Sequence, residues 1–329
     1  MSFVCFVVKK RNMKKEIGIF SLLVLLCAVT GFENPRFFSQ ANLENTANLI
    51  GLFGIFSIGV GLVIITGGID LSIGSMIALN GILLALALTE WHWAWPLAVM
   101  FALIVPMILG LGHGVLITRF KLQPFIVTLC GLLFYRGIAR FIANDMTKGF
   151  GDAAGFKTLQ NLASGKFLGL PMPFVILIVI AIIMWVVLHR SVYGRYLFAV
   201  GRNEEATRFS GINTRRIVAS AYVLAGLLTG VSGILFAFYT NSVIPSSQGS
   251  SYELNGIAAA VLGGCSLRGG EGSIIGILIG TALLLVLQNL VNLLGIPSSL
   301  NFAVMGAVVL IGVLADQIFK NRAAKKFAR

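Results

Sequence analysis

Apolar residues run through the chain in long uninterrupted blocks separated by short polar stretches. The blocks fall at residues 16–32, 47–66, 73–89, 95–118, 124–142, 172–189, 217–240, 253–266, 273–294 and 299–319. A helix needs about 20 apolar residues to cross the hydrocarbon core. In that medium only helices and closed barrels satisfy their own backbone polar groups, and these runs are far too long for barrel strands. The pattern predicts an all-α polytopic membrane protein of about ten transmembrane helices. Three blocks depart from the ideal: 73–89 and 253–266 are short, and 124–142 carries Arg136 and Arg140. Short or Gly-interrupted segments are where transporters use broken or re-entrant helices, so such segments are expected here. Gly67-Gly68-Ile69-Asp70 and Gly263-Gly264-Cys265-Ser266 each interrupt the apolar pattern in one half of the chain, which is the arrangement an internal duplication gives.

Composition excludes the soluble alternative. Of 329 residues 57% are hydrophobic and 11% charged, with a mean hydropathy of +0.92; an ordinary soluble domain has roughly 25% charged residues. The 38 glycines suit helices that must approach closely without a water-driven force between them. Cys5, Cys27, Cys130 and Cys265 have no pair spacing. They read as small apolar side chains, with no disulfide or metal assigned.

The net charge of +13 matters through its placement. Eighteen of the 25 Lys and Arg lie in residues 9–15, 119–121, 190–216 and from Lys320 onward. With the N-terminus inside and ten spans, every one of these clusters falls on the same face, as the positive-inside rule requires. Residues 33–46 and 143–171 then fall outside. The expected organisation is a cytoplasmic extension (1–15), a single transmembrane domain (16–319) with a cytoplasmic loop at 190–216, and a basic cytoplasmic tail (320–329). The basic N-terminus before residue 16 imitates a signal peptide, but the first span is expected to be retained.

Few polar residues lie inside this framework. Asp70 sits in Thr66-Gly67-Gly68-Ile69-Asp70-Leu71-Ser72 between two apolar runs. A carboxylate at membrane depth is costly and faces a cavity or a partner, so one reading puts Asp70 at the inner mouth of a pathway. The other makes Asp70 or Ser72 a cap on the 73–89 helix; the two are compatible. In the loop 190–216, Asn203 can cap a short helix, Glu204 and Glu205 suit its first turn and Gly211 can end it. That predicts a helix of about two turns, carrying Ala206, Thr207, Arg208 and Phe209. Because so short a helix is unstable alone, a partner-docking role is the better reading. Gly263–Ser273 is Gly-rich but lacks the Gly-Lys-Ser/Thr ending of a phosphate loop, and reads as a tight inner turn. Asn80, His113, Glu253, Asn255, Gln288, Asn289 and Asn292 complete the buried polar candidates, each able to bond between helices. No nucleophile with a base, metal set, nucleotide motif, proton-relay ladder or ion filter is visible. An external energy source is therefore expected.

These residues carry a resemblance. The chain from about Asn34 to Asp316 is similar to the ribose-type branch of ABC-transporter permeases, the membrane subunits of bacterial sugar importers. The marks are Asn34-Pro35-Arg36-Phe37-Phe38, Gly67-Gly68-Ile69-Asp70-Leu71-Ser72-Ile73-Gly74-Ser75, Gly201-Arg202-Asn203-Glu204-Glu205-Ala206-Thr207-Arg208, Ser210-Gly211-Ile212-Asn213, Tyr252-Glu253-Leu254 and Val261-Leu262-Gly263-Gly264. The resemblance implies a pair of permease subunits around a central pathway in the bacterial inner membrane, a cytoplasmic ATPase that binds ATP and Mg, and a periplasmic sugar-binding protein. It implies no cofactor and no catalytic site in this chain. It makes residues 203–210 the coupling helix, with Gly201, Arg202 and Gly211 at its margins. Asp70, Ser72, Asn80, Glu253, Asn255, Gln288 and Asn289 are the candidates for pathway or gate. The competing readings are the same architecture for a nucleoside, furanosyl signal or amino acid, an ion-coupled secondary transporter, and a membrane enzyme.

Overall fold

The helix boundaries follow local chemistry. Ser39, Ser191, Asn203, Asn213 and Ser273 each accept a backbone N–H with the side chain at a helix start, and proline occupies the first turn of three membrane helices, where its missing N–H costs nothing. The computed structural model describes residues 2–151 and 154–297, with 300, 303, 304, 306, 307 and 310 beyond them. In chain order the helices are α1 (Ser2–Glu33), α2 (Gln40–Ile65), α3 (Ile73–Thr89), α4 (Trp95–Arg119), α5 (Pro124–Ile142), α6 (Lys157–Ser164), α7 (Met172–His189), α8 (Val192–Arg202), α9 (Glu204–Phe209), α10 (Thr214–Thr240), α11 (Tyr252–Leu262) and α12 (Ile274–Leu293).

Seven of these are long and apolar enough to cross a membrane: α1 over Glu16–Glu33, α2, α4, α5, α7, α10 and α12. The protein is a multi-pass, all-helical membrane protein. The expected ten spans resolve into these seven, the 17-residue α3 and the 11-residue α11; the last expected span, 299–319, lies largely outside the described residues. The expected extension 1–15 is helical and continuous with the first span.

α2, α3 and α10 form the centre. α3 is buried at every position from Ile73 to Leu88 and packs on α10, α5 and α4. α2 contacts α7, α10, α11 and α12, and α1 lies against α12. The rim helices expose large apolar side chains outward, among them Leu133, Phe134 and Phe141 on α5 and Ile182 on α7, as a lipid-facing surface requires. The most extensive seam joins α4 to α10. There Gly110, Gly114 and Pro106 of α4 meet the backbone of Tyr222, Ala219 and Gly226, the small-residue packing by which membrane helices associate.

The bundle has two unlike ends. One gathers Arg119, Lys121, the α8–α9 segment and the turns at 66–72 and 263–273. The other holds residues 90–94 and 143–171 and is tied by the ion pairs Lys148–Glu90, Lys166–Glu44 (both 2.6 Å) and Arg140–Asp145 (2.7 Å). Two-residue antiparallel bridges join 148–149 to 242–243 and 166–167 to 170–171. The short helix expected at 203–210 is α9. The rest of 190–216, expected as loop around it, is not loop: α8 buries Gly194, Leu197 and Val200 along one side, spaced by three residues, and that helical face holds it against α2, α7 and α10.

Candidate functional site

Two turns at the basic end leave their helices in the same way. At the end of α2, Gly67 N–H donates to Ile64 O (2.9 Å) and Gly68 N–H to Val63 O (3.1 Å), with Gly67 at φ +86°. At the end of α11, Gly264 N–H donates to Val261 O and Cys265 N–H to Ala260 O (both 2.9 Å), with Gly264 at φ +94°. This closure uses a left-handed residue to satisfy the last helical carbonyls, and glycine takes that conformation without a Cβ clash. The two interruptions seen in the sequence thus have matching backbones.

Beyond the closure, the first turn is polar. Asp70 is 2% exposed, and its Oδ1 accepts both the Ser72 N–H (2.9 Å) and the Ser72 hydroxyl (2.6 Å). The capping bond thus comes from Asp70 and falls on Ser72, the residue just before α3; Ser72 makes no side-chain cap bond of its own. The neighbouring Ile69 carbonyl accepts from Thr128 (3.3 Å) and Tyr222 (3.4 Å). Those lengths make weak bonds; the buried Tyr222 side chain also packs on Val63, and its hydroxyl end lies against Gly68. His113, Tyr135, Tyr222 and Glu253 lie within electrostatic reach of Asp70, and the Tyr135 hydroxyl bonds His113 Nε2 at 2.7 Å.

Glu253 reaches the same place from the other half of the chain. It opens α11, is 9% exposed, and its carboxyl lies against Gly74 in the first turn of α3. The Gly249 backbone abuts Gly74 as well, and a Cβ on either glycine would overlap the other's carbonyl region. The segment after α10 therefore dips back to α3 before α11 begins. Arg136, an oddity in an apolar run, explains itself here: its Nη1 donates to Pro245 O (2.9 Å) and Gln248 O (2.7 Å), carbonyls of the dipping segment.

The remaining pathway candidates separate. Asn80 donates to Gly230 O (3.0 Å) between α3 and α10. Its Oδ1 and that of Asn255 are buried without a hydrogen-bond partner among the described residues. Asn289 clamps α12 to α2 at the opposite end, donating to Asn42 Oδ1 (2.9 Å) and Thr46 Oγ1 (2.7 Å), and Gln288 adjoins it in α12. Asp70, Ser72 and Glu253 are thus brought to the first turn of α3, Asn255 follows about half a helical turn after Glu253, and Gln288 and Asn289 are elsewhere.

The docking candidates stay together. Asn203 Oδ1 accepts from Ala206 N–H (2.9 Å), Glu204 and Glu205 fill the first turn, and Gly211 ends the helix at φ +84°. Thr207 is buried, whereas Phe209 is 78% exposed with the Arg208 guanidinium over its ring at 5.6 Å. A cavity of about 500 Å³ lies between Glu204, Glu205 and Arg208 on one side and Gly67, Gly68 and Tyr222 on the other. The exposed helix and the Asp70 turn are two walls of one space. Among the described residues no cluster of three or more His, Cys, Asp or Glu is placed to hold a metal.

Sequence reasoning missed Tyr222, Thr128, Gly74 and Gly249. A tyrosine or threonine in an apolar run carries no signal of which turn it grips, and a glycine in a glycine-rich chain does not announce which backbone it touches.

Comparison with known proteins agrees with this architecture. Residues 42–313 match the family described as branched-chain amino acid transport system, permease component. The chain is 38% identical over 304 residues to the ribose import permease protein RbsC of Bacillus subtilis (strain 168), covering 92% of this chain and 93% of that protein. It is 37% identical over 307 residues to the protein of the same name in Escherichia coli (strain K12), covering 93% and 95%. It is also 30% identical over 309 residues to the autoinducer 2 import system permease protein LsrD of Escherichia coli O9:H4 (strain HS), covering 93% of each.

Proposed function

The chain belongs to the family of branched-chain amino acid transport system permease components, and from that premise we propose that it is the membrane subunit of an ATP-binding-cassette importer for a ribose-like monosaccharide. The observation that carries the solute class is the likeness to ribose import permeases over more than nine-tenths of the chain. Permeases of a second solute, autoinducer 2, are similar at lower identity, and a furanosyl signal is the alternative the transport assay must separate.

In this reading the chain performs no bond chemistry. A separate ATPase binds ATP and Mg and docks on the exposed side of α9, where Glu204, Glu205, Arg208 and Phe209 face outward. Arginine and aromatic side chains are the groups that anchor protein interfaces. A sugar-binding protein delivers solute to the opposite end, and a second permease copy completes the pathway. The basic end faces the cytoplasm, in keeping with the positive-inside rule, in a bacterial inner membrane. Asp70, Ser72 and Glu253, gathered where the two halves meet at α3, are the gate. Substrate passes when the partner's nucleotide cycle shifts these helix ends relative to one another, a population shift that only differential binding to two states can drive.

The test is affinity pull-down from mild-detergent membranes with identification of what co-purifies, followed by uptake in vesicles. An ATPase is expected to co-purify, and replacing Glu204 and Arg208 together by Ala is expected to weaken its retention while the permease stays folded. Solute transport by this chain alone, with no ATPase retained, would replace the importer by an ion-coupled transporter. Uptake of a furanosyl signal in place of ribose would change the solute and leave the architecture.

A further inference from the structure

At Gly201 and Gly269 the α8–α9 segment touches the two turns backbone to backbone. Gly270 N–H donates to Ile65 O at 2.8 Å, joining the second turn to the end of α2. Gly201, near the end of α8 and two residues before the Asn203 cap, sits directly on that bond: a Cβ there would overlap Ile65 O and Gly270 N together. Gly269, at φ +81°, faces back, and a Cβ on it would lie 2.6 Å from Gly201 O and 2.9 Å from Gly67 N. Gly270, at φ +72°, meets Arg202: a Cβ would overlap the Arg202 side-chain Cγ and lie 3.0 Å from its backbone N. Four pieces of chain therefore converge within van der Waals contact: the end of α2, the Gly67 closure, the 268–270 segment and the end of α8. α8 is itself fixed by its buried Leu197 and Val200 and by the Tyr193 hydroxyl on Ser220 Oγ at 2.8 Å.

We propose that Gly201, Gly269 and Gly270 form a rigid transmission joint, so that a displacement of α9 moves the Asp70 turn and the 263–273 turn as one body. The physical ground is that packed backbone has no rotamers to absorb a shift; such contacts switch between discrete arrangements and do not deform continuously. Long side chains in the same place would let α9 move while the turns stayed put. The joint rests on the proposed function, because it assigns how docking on α9 reaches the gate. The residues concerned position the gate; none touches solute.

A built-in control separates the joint from turn strain. Gly264 lies in the same turn at φ +94°, but a Cβ there has nothing within 4 Å. Ala at Gly264 and Ala at Gly269 bear comparable backbone strain, and only the second intrudes on Gly201. The experiment reconstitutes permease, ATPase partner and ribose-binding protein in vesicles and measures ATPase retention, basal hydrolysis and the stimulation by ribose-loaded binding protein. Gly269→Ala is expected to retain the ATPase and its basal hydrolysis while stimulation and uptake fall about five-fold or more. Gly264→Ala is expected to keep the wild-type stimulation. Equal stimulation in the two variants, or loss of the ATPase from Gly269→Ala alone, overturns the joint. If Gly269→Ala does not accumulate, Gly270→Ala carries the same test, since part of its contact is with the flexible Arg202 side chain. A wild-type chain that retains no ATPase sinks the proposed function itself; a stimulated wild type with an equally stimulated Gly269→Ala sinks only the joint.

Discussion

The turns at 66–72 and 263–273 begin alike and end differently. Both close their helix over a left-handed glycine with the same pair of hydrogen bonds. After the second, the chain folds back on itself: Gly263 lies against Gly276 and Gly280 against the Ala259 carbonyl, so α11 and α12 form a tight hairpin closed by backbone. Its interior is apolar, with Cys265 buried against Gly272. After the first, α3 leaves α2 and packs instead on α10, α5 and α4. A splayed turn leaves backbone donors without a neighbouring strand of chain to take them, and buried donors must be satisfied. Asp70 does this for Ser72. The same exit from a helix therefore yields a tight hairpin where glycines fill the space and a splayed polar turn where a carboxyl does.

Four tests break or sharpen this contrast, in falling order of effect. Asp70→Leu strands both Ser72 donors in a buried site and is expected to destabilise by on the order of 3 kcal/mol, read as loss of thermal stability in detergent; Asp70→Asn, which keeps an acceptor, recovers most of it. If Leu is tolerated, the first turn is not polar by necessity. Gly276→Ala puts a methyl onto the Gly263 carbonyl and is expected to cost about 1–3 kcal/mol by overpacking, with the hairpin loosened in amide hydrogen exchange. Gly67→Ala and Gly264→Ala test the likeness itself: each forces a side chain into the left-handed region at about 1–2 kcal/mol, with no atom nearer than 3.9 Å to the added Cβ at either, so their melting shifts are expected to match. A clear inequality would mean the two closures are not equivalent. Tyr222→Phe removes one long bond to Ile69 and keeps the ring, and is expected to change stability by about 0.5 kcal/mol or less; a larger loss would make the hydroxyl, not the ring, the grip on the turn.

Much of the fold was legible because its signals are local. The run at 95–118 is the helix Trp95–Arg119, and 124–142 is Pro124–Ile142, since hydrocarbon imposes the length. The run at 47–66 understates α2, which starts at Gln40: polar residues such as Asn42 and Thr46 continue the helix because Asn289 bonds them from α12. α9 could be read from Asn203 and Gly211, as caps act within four residues. α8 could not, because its apolar spacing is scattered among Arg195 and Arg202. Of the proposed gate, Asp70 was visible as an acid in an apolar run. What it faces was not, since Glu253 and Tyr222 arrive from more than 150 positions away along the chain through packing that no window of sequence contains. The partners of Asn289 on α2 were hidden for the same reason: polar residues in a membrane helix signal a bond but not its address.

The enclosure of α3 has a consequence for how the protein answers to its lipid. At about 1.5 Å per residue its 17 residues extend some 25 Å, less than the roughly 30 Å of hydrocarbon in a typical bilayer. A lipid-facing helix of that length would tilt neighbours or thin the membrane to match. α3 meets protein on every side, so acyl-chain length has no surface on which to act. Thickening the bilayer loads α1, α4, α5 and α7 at the rim and leaves the helix that carries Asp70 at its root under no mismatch of its own.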